Sequence, residues 1–238
     1  MISKAKIITH KYEKFVYGEL VKYKRMLEGE VVNEDTKQRD LGGLPFGVVS
    51  VTKFFIHFDS QVIAYRPISS RVSEKQFRLF LSKLIEKGHN NFFVSADIES
   101  VDEDIEITKS ISLLKRVSRI FLDVKPTNPS NRPVYEKLDN RLKRLEAKKE
   151  QRTLISTEQG FNLEALKDDE VYMGIVLAAD GYGRASVHGE KEDGTKVVIR
   201  TSDSPVIKSV SDSEEPLAIL VQLFKTFERI WKRTRNAK

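Results

Sequence analysis

Val117-Ser-Arg-Ile-Phe-Leu-Asp-Val124 decides what kind of layer this chain builds. Its β-branched and apolar content reads as a strand. The chain then breaks at Lys125-Pro-Thr-Asn-Pro-Ser-Asn131 and enters a charged helical pattern that starts at Pro133 and runs to about Arg152. Proline suits the first helical turn, because the N–H it lacks would have no intrahelical partner there. Val134, Leu138, Leu142 and Leu145 form a narrow apolar seam, and the other faces mix lysine and arginine with glutamate and aspartate. Leu154-Ile-Ser156 returns as a strand, and Asn162 to Tyr172 forms a short helix. The apolar run Val171 to Ala179 ends in the turn-rich Ala179-Asp-Gly-Tyr-Gly-Arg184. Arg184 to His188 and Thr195 to Arg200 then flank Glu192-Asp-Gly194, a strong hairpin signal.

Working upstream, Gly47 to Phe58 is a β-rich apolar run that predicts a buried strand, and Asp59-Ser60 turns it into Gln61 to Arg66. Lys6 to Thr9 and Tyr17 to Leu27 predict two earlier strands, separated from Gly47 by a polar loop over 29–43. Ser73 and Gln76 have the spacing of a capping box, and Phe77, Phe80, Leu81, Leu84 and Ile85 follow at helical intervals up to Gly88. Asn91 to Ile98 reads as a strand and Glu103 to Lys115 as a helix. The expected fold class is α+β: mixed, mostly antiparallel sheet regions covered by helices, with a long basic C-terminal helix.

That last helix is the plainest in the chain. Ser213 is placed to cap it, Glu214 and Glu215 sit at the positive end of its dipole, and Pro216 lies in its first turn. Leu217, Leu220, Phe224, Phe227 and Trp231 alternate steps of three and four, the seam of a helix pair, and are read as a dimer interface. For Trp231, core or interface outranks base stacking. The chain divides accordingly into an N-terminal α/β region over 1–116, a strand–helix–hairpin region over 117–210 and the basic amphipathic helix over 211–238.

The 238 residues carry a formal charge of +6, with 39% apolar and 32% charged residues. A positive balance favours polyanionic partners or an acidic membrane surface. Cysteine is absent, which excludes disulfides, thiol nucleophiles and thiolate metal sites and suits a reducing cytoplasm. The start lacks the apolar core and cleavage site of a signal peptide, and no apolar run approaches the ~20 residues that span a bilayer. A cytoplasmic protein with no membrane association is expected.

The candidate nucleic-acid contacts follow from where the cations fall. Lys225, Arg229, Lys232, Arg233 and Arg235 line the end of the terminal helix, opposed there only by Glu228. Such a row neutralises phosphates and releases counterions, giving affinity without sequence preference. The competing reading is a solvated helix end. Arg141, Lys143, Arg144 and Lys148 form a second cationic surface, in which Asp139 and Lys143 have i,i+4 spacing. Arg184, at the end of Asp180-Gly-Tyr-Gly-Arg184, can reach an anion, but that segment lacks the lysine and hydroxyl of a phosphate-binding loop, and positive-φ turns explain its glycines better. His10, His57, His89 and His188 are isolated, with no ligand pair. Asp97, Glu99, Asp102, Glu103 and Asp104 cluster, but a polar loop leading into the next helix outranks a magnesium site. No catalytic residue, metal or cofactor is expected.

Ile120-Phe-Leu-Asp-Val-Lys-Pro-Thr-Asn-Pro129, the charged helix after it, and Gly183-Arg-Ala-Ser-Val-His-Gly-Glu-Lys-Glu-Asp-Gly-Thr-Lys-Val-Val-Ile-Arg-Thr-Ser-Asp203 resemble an uncharacterised bacterial family, the domain of unknown function numbered 4747. The likeness covers about the C-terminal two-fifths and, more loosely, the hairpin from Lys53 to Tyr65. The order of elements also resembles the RexA-like phage-exclusion proteins. That resemblance implies a dimeric, sequence-independent DNA binder in antiphage defence; neither resemblance implies a catalytic residue. The expected function is therefore nucleic-acid binding, DNA before RNA, by a homodimer in antiphage defence or abortive infection, with an operon partner protein as a further partner. The alternatives are a toxin-like nuclease without a recognisable motif and a structural partner of a defence complex.

Overall fold

The computed structural model describes residues 2–24, 31–32, 39–40, 47–68, 71–88, 96–128 and 132–234. The chain forms two compact units, Met1–Asp97 and Ile98–Lys238.

In the first unit, β1 (Ile2–His10), β2 (Glu13–Lys24), β5 (Gly47–His57) and β6 (Ile63–Tyr65) form an antiparallel sheet in the order β1-β2-β5-β6. Two short strands, β3 (Val31–Val32) and β4 (Arg39–Asp40), pair with each other. Lys11 and Tyr12 make the β1–β2 turn with φ of 48° and 69°, the left-handed pair of a tight hairpin without the usual glycine or asparagine. The helix α1 (Glu74–Gly88) starts at the expected capping box: Ser73 Oγ accepts from the Gln76 N–H, and Gln76 Oε1 accepts from the Ser73 N–H. Phe77 of α1 stacks on Tyr65 and meets Phe54 edge-on on one face of the sheet, while Phe15 stacks on His57 and Tyr17 meets Phe55 on the other.

The second unit begins with α2 (Asp104–Ser112), β7 (Arg116–Val124), α3 (Pro133–Arg144) and β8 (Glu150–Ile155). It continues through α4 (Leu163–Lys167), α5 (Glu170–Leu177), a π-turn over 178–182, β9 (Gly183–Glu190), β10 (Lys196–Arg200) and α6 (Pro216–Thr234). Its sheet has the order β10-β9-β7-β8, antiparallel throughout. Val117, Ile120, Leu122 and Val124 of β7 and Ala185 and Val187 of β9 join Ile107, Ile111, Tyr135, Leu138, Leu142, Val171 and Ile175 from the helices in one core. The apolar run Val171 to Leu177 is thus a buried helix, α5, capped by Asp169, whose carboxylate accepts from the Val171 N–H. Among the described residues the molecule is α+β with antiparallel sheets, helices and a long C-terminal helix.

Two boundaries depart from the sequence expectation. α3 stops at Arg144, well short of Arg152. Glu146 takes a φ of +51°, and the Ala147 N–H closes back on the Leu142 carbonyl at 3.0 Å, a left-handed helix stop. Leu145 is consequently 62% exposed rather than part of the seam, and Glu150 to Arg152 pair with β7 instead. The strand expected over Asn91 to Ile98 falls largely outside the described residues, and 96–98 form no strand.

Candidate nucleic-acid interface

Alternation along the second sheet sends one set of side chains into the helical core and the other to the opposite face. A bulge between Val117 and Arg119 shifts the register by one residue, so Arg119, Phe121 and Asp123 face away from the core. Arg119 lies opposite His188 and Ile155; Phe121 lies opposite Ser186 and Thr153; Asp123 lies opposite Arg184 and Gln151. β10 extends the same face with Lys196, Val198 and Arg200, opposite Glu190, His188 and Ser186. Ile155 at 74% and the Arg184 side chain at 70% exposure mark this face as open to solvent. Phe121, Ser186, His188 and Val198 in the middle are half-buried, as residues at the centre of a sheet face are.

Arg116, Arg119, Arg184, Lys196 and Arg200 put five cations on the face, and Asp123 and Glu190 put two carboxylates there. Both acids are already engaged. Glu190 accepts from Arg116 at 3.1 Å. Asp123 Oδ2 accepts from Gln151 Nε2 at 3.0 Å and from Arg184 Nη2 at 3.3 Å, with Lys149 Nζ 3.7 Å away. Burial pulls the Asp123 carboxyl up, but the Gln151 and Arg184 hydrogen bonds and the Lys149 and Arg184 charges outweigh it and hold the group below its ordinary value. Arg119 and Lys196 have no acidic partner among the described residues.

The terminal helix uses its cations differently. Arg233 is 14% exposed: its Nη1 donates to the Asp102 carbonyl at 2.9 Å and meets Asp104 Oδ1 at 3.2 Å, and its Nε lies 2.9 Å from Asp180 Oδ1. Arg132 closes the group, with Nη2 2.8 Å from Asp104 Oδ2 and Nη1 3.2 Å from Asp180 Oδ2. Burial pushes the Asp180 carboxyl up against the pull of Arg233 and Arg132. Arg229 pairs with Glu103 at 2.6 Å and Lys232 with Glu228 at 2.8 Å. Lys225 is exposed, and Arg235 lies outside the described residues. The Glu103 and Asp104 carboxylates thus meet arginines and the Asp102 carboxylate accepts from Ser100 Oγ, and among the described residues no group of three or more His, Asp or Glu side chains is placed to hold a metal ion. Leu220, Phe224 and Phe227 are buried within the single chain, so it covers this part of the seam itself; Trp231 is half-buried and Leu217 exposed.

On α3, Lys143 bridges Asp139 at 2.7 Å and Thr127 at 2.8 Å, and Asp139 also receives the Thr127 N–H and hydroxyl. This knot fastens Thr127, three residues after β7, to α3. Arg141 reaches Glu150 at 2.7 Å and Glu170 at 3.2 Å, so of the exposed cations of this group Arg144 and Lys148 are the ones without an acidic partner among the described residues.

The model of a family described as a domain of unknown function, DUF4747, matches residues 1–227. The chain belongs to the DUF4747 family. No curated protein and no solved structure matches it, so the RexA-like likeness gains nothing from these comparisons. No helix among the described residues is long and apolar enough to cross a membrane.

For this DUF4747 chain, sequence reasoning reached one residue of the open face, Arg184, through the glycines that precede it. Arg116, Arg119, Phe121, Lys196 and Arg200 form no motif in the sequence and His188 reads there only as an isolated histidine, because they are brought together by pairing between β7, β9 and β10. The available signal was the period-two spacing of Arg119, Phe121 and Asp123 and of Arg184, Ser186 and His188, with apolar or small residues between them.

Proposed function

We propose that this chain binds nucleic acid without sequence preference through the open face of its second sheet. The excess of cations on a face whose two carboxylates are already paired carries the reading. Guanidinium and ammonium groups spread over such a face neutralise phosphates wherever the backbone crosses them, and this contact is blind to base identity. Arg116, Arg184 and Arg200 also meet acids there, but Arg119 and Lys196 have none among the described residues, whereas on α6 Arg229, Lys232 and Arg233 are all paired and Arg233 is largely buried, which makes that row the weaker candidate. The RexA-like order of elements favours DNA over RNA and an antiphage role.

Fluorescence anisotropy with a labelled oligonucleotide tests the assignment. Replacing Arg119, Arg184, Lys196 and Arg200 together with glutamine weakens binding by at least about tenfold, whereas the pair Lys225→Gln and Lys232→Gln changes it less than about twofold. Unaltered binding by the sheet-face variant overturns the assignment. For the antiphage role, plaque counts on cells expressing the two forms are expected to show protection by the native chain and its loss with the sheet-face variant.

A further inference from the structure

We infer that the ligand of this face is single-stranded nucleic acid, held by stacking on Phe121 as well as by phosphate contacts, an inference that rests on the nucleic-acid reading above. A surface meant only for a duplex needs cations and an element that enters a groove. This face offers instead an aromatic ring at the middle of a sheet. Phe121 is flanked across the strands by Ser186 and Thr153, two short hydroxyl side chains that leave room beside the ring. His188, a second flat side chain, occupies the diagonal position on β9, at the roughly 7–8 Å spacing of diagonal neighbours in a sheet.

The cations lie around this centre. Arg119 precedes Phe121 by one outward position, Arg200 lies beyond Ser186, Arg184 stands next to Asp123 and Lys196 closes the β10 edge. A base in a duplex has both faces covered by its neighbours and cannot reach a ring recessed in a sheet. A splayed base can, and every base has a π-face, so the contact is sequence-tolerant. A four-stranded face of this size accommodates about two or three such bases. Core packing explains the opposite face of β7, where Ile120 and Leu122 point, and does not require an aromatic ring on this one.

The full chain, titrated into labelled dT12 and into a matched duplex at equal salt, tests the inference. The single strand is expected to bind at least about tenfold tighter. Phe121→Leu should lose about tenfold for dT12 and little for the duplex, and Phe121→Tyr, which keeps the ring, should restore the affinity. A urea midpoint for each variant separates lost binding from lost fold. Equal affinity for strand and duplex, or a folded Phe121→Leu variant that binds dT12 as the native chain does, overturns the single-strand inference and leaves the charge-based reading standing. Binding to neither polymer overturns both.

Discussion

Asp123 is the residue at which stability and the proposed binding meet. It is buried, yet Arg184, Gln151 and Lys149 hold it ionised. A carboxyl whose folded pKa lies below its unfolded value of about 3.9 stabilises the fold above that value, and the contribution is lost as pH falls through the folded pKa. Asp123→Asn should therefore lower the urea midpoint at neutral pH, and the difference from the native chain should shrink as pH drops below about 4. A pH-independent difference would mean that shape, not charge, matters there. The same substitution removes a carboxylate from the cationic face and releases Arg184, so dT12 binding at neutral pH should tighten about two- to fivefold. Arg233 and Lys232 make the complementary comparison on α6. Arg233→Met leaves Asp180 and Asp104 with Arg132 alone and should cost about 3 kcal/mol, the scale of breaking a buried pair. Lys232→Met, in an exposed pair, should stay within about 0.5 kcal/mol in the same denaturation experiment.

Elements differ in how much of their geometry is local, and two glycines separate the cases. Gly194 turns the β9–β10 hairpin with φ of +83° and open space around it, so Gly194→Ala costs only the left-handed penalty, about 1 kcal/mol. Gly183 has φ of +144°, and a Cβ there would lie 2.1 Å from the Asp123 carbonyl oxygen, so Gly183→Ala should cost more than about 3 kcal/mol by thermal or urea unfolding. The turn at Gly194 was readable from Asp193-Gly194, because turn chemistry is written in adjacent residues. The α1 capping box was readable for the same reason, whereas Ser213, expected as the cap of α6, makes a turn ahead of it: its Oγ accepts from the Glu215 N–H and the helix begins only at Pro216. The end of α3 was not. Charged residues from Glu146 to Arg152 suit a helix as well as an edge strand, and only pairing with β7 decides against the helix. The open face was less legible still, since the bulge beside Ser118 fixes which β7 residues face outward and no local signal announces it.

At the scale of the whole molecule, a formal charge of +6 says little by itself, because at physiological salt charges more than about 8 Å from a phosphate are screened. What matters is how many cations touch phosphates at once, and salt dependence measures that number. If Arg119, Arg184, Lys196 and Arg200 each neutralise one phosphate of a single strand, log affinity falls with log salt at a slope of about −3. Affinity for dT12 then drops about fiftyfold between 0.05 M and 0.2 M salt. Removing Arg119 and Arg184 should bring the slope to about −1.4, while removing Lys225 and Lys232 should leave it unchanged. Phe121→Leu should weaken binding at every salt concentration without altering the slope, because stacking releases no counterions. A slope that falls with the α6 pair and holds with the sheet pair would move the interface to the terminal helix. There Arg229 and Arg233 would have to leave Glu103, Asp104 and Asp180 to take part, which would make binding compete with the contacts that seat the helix.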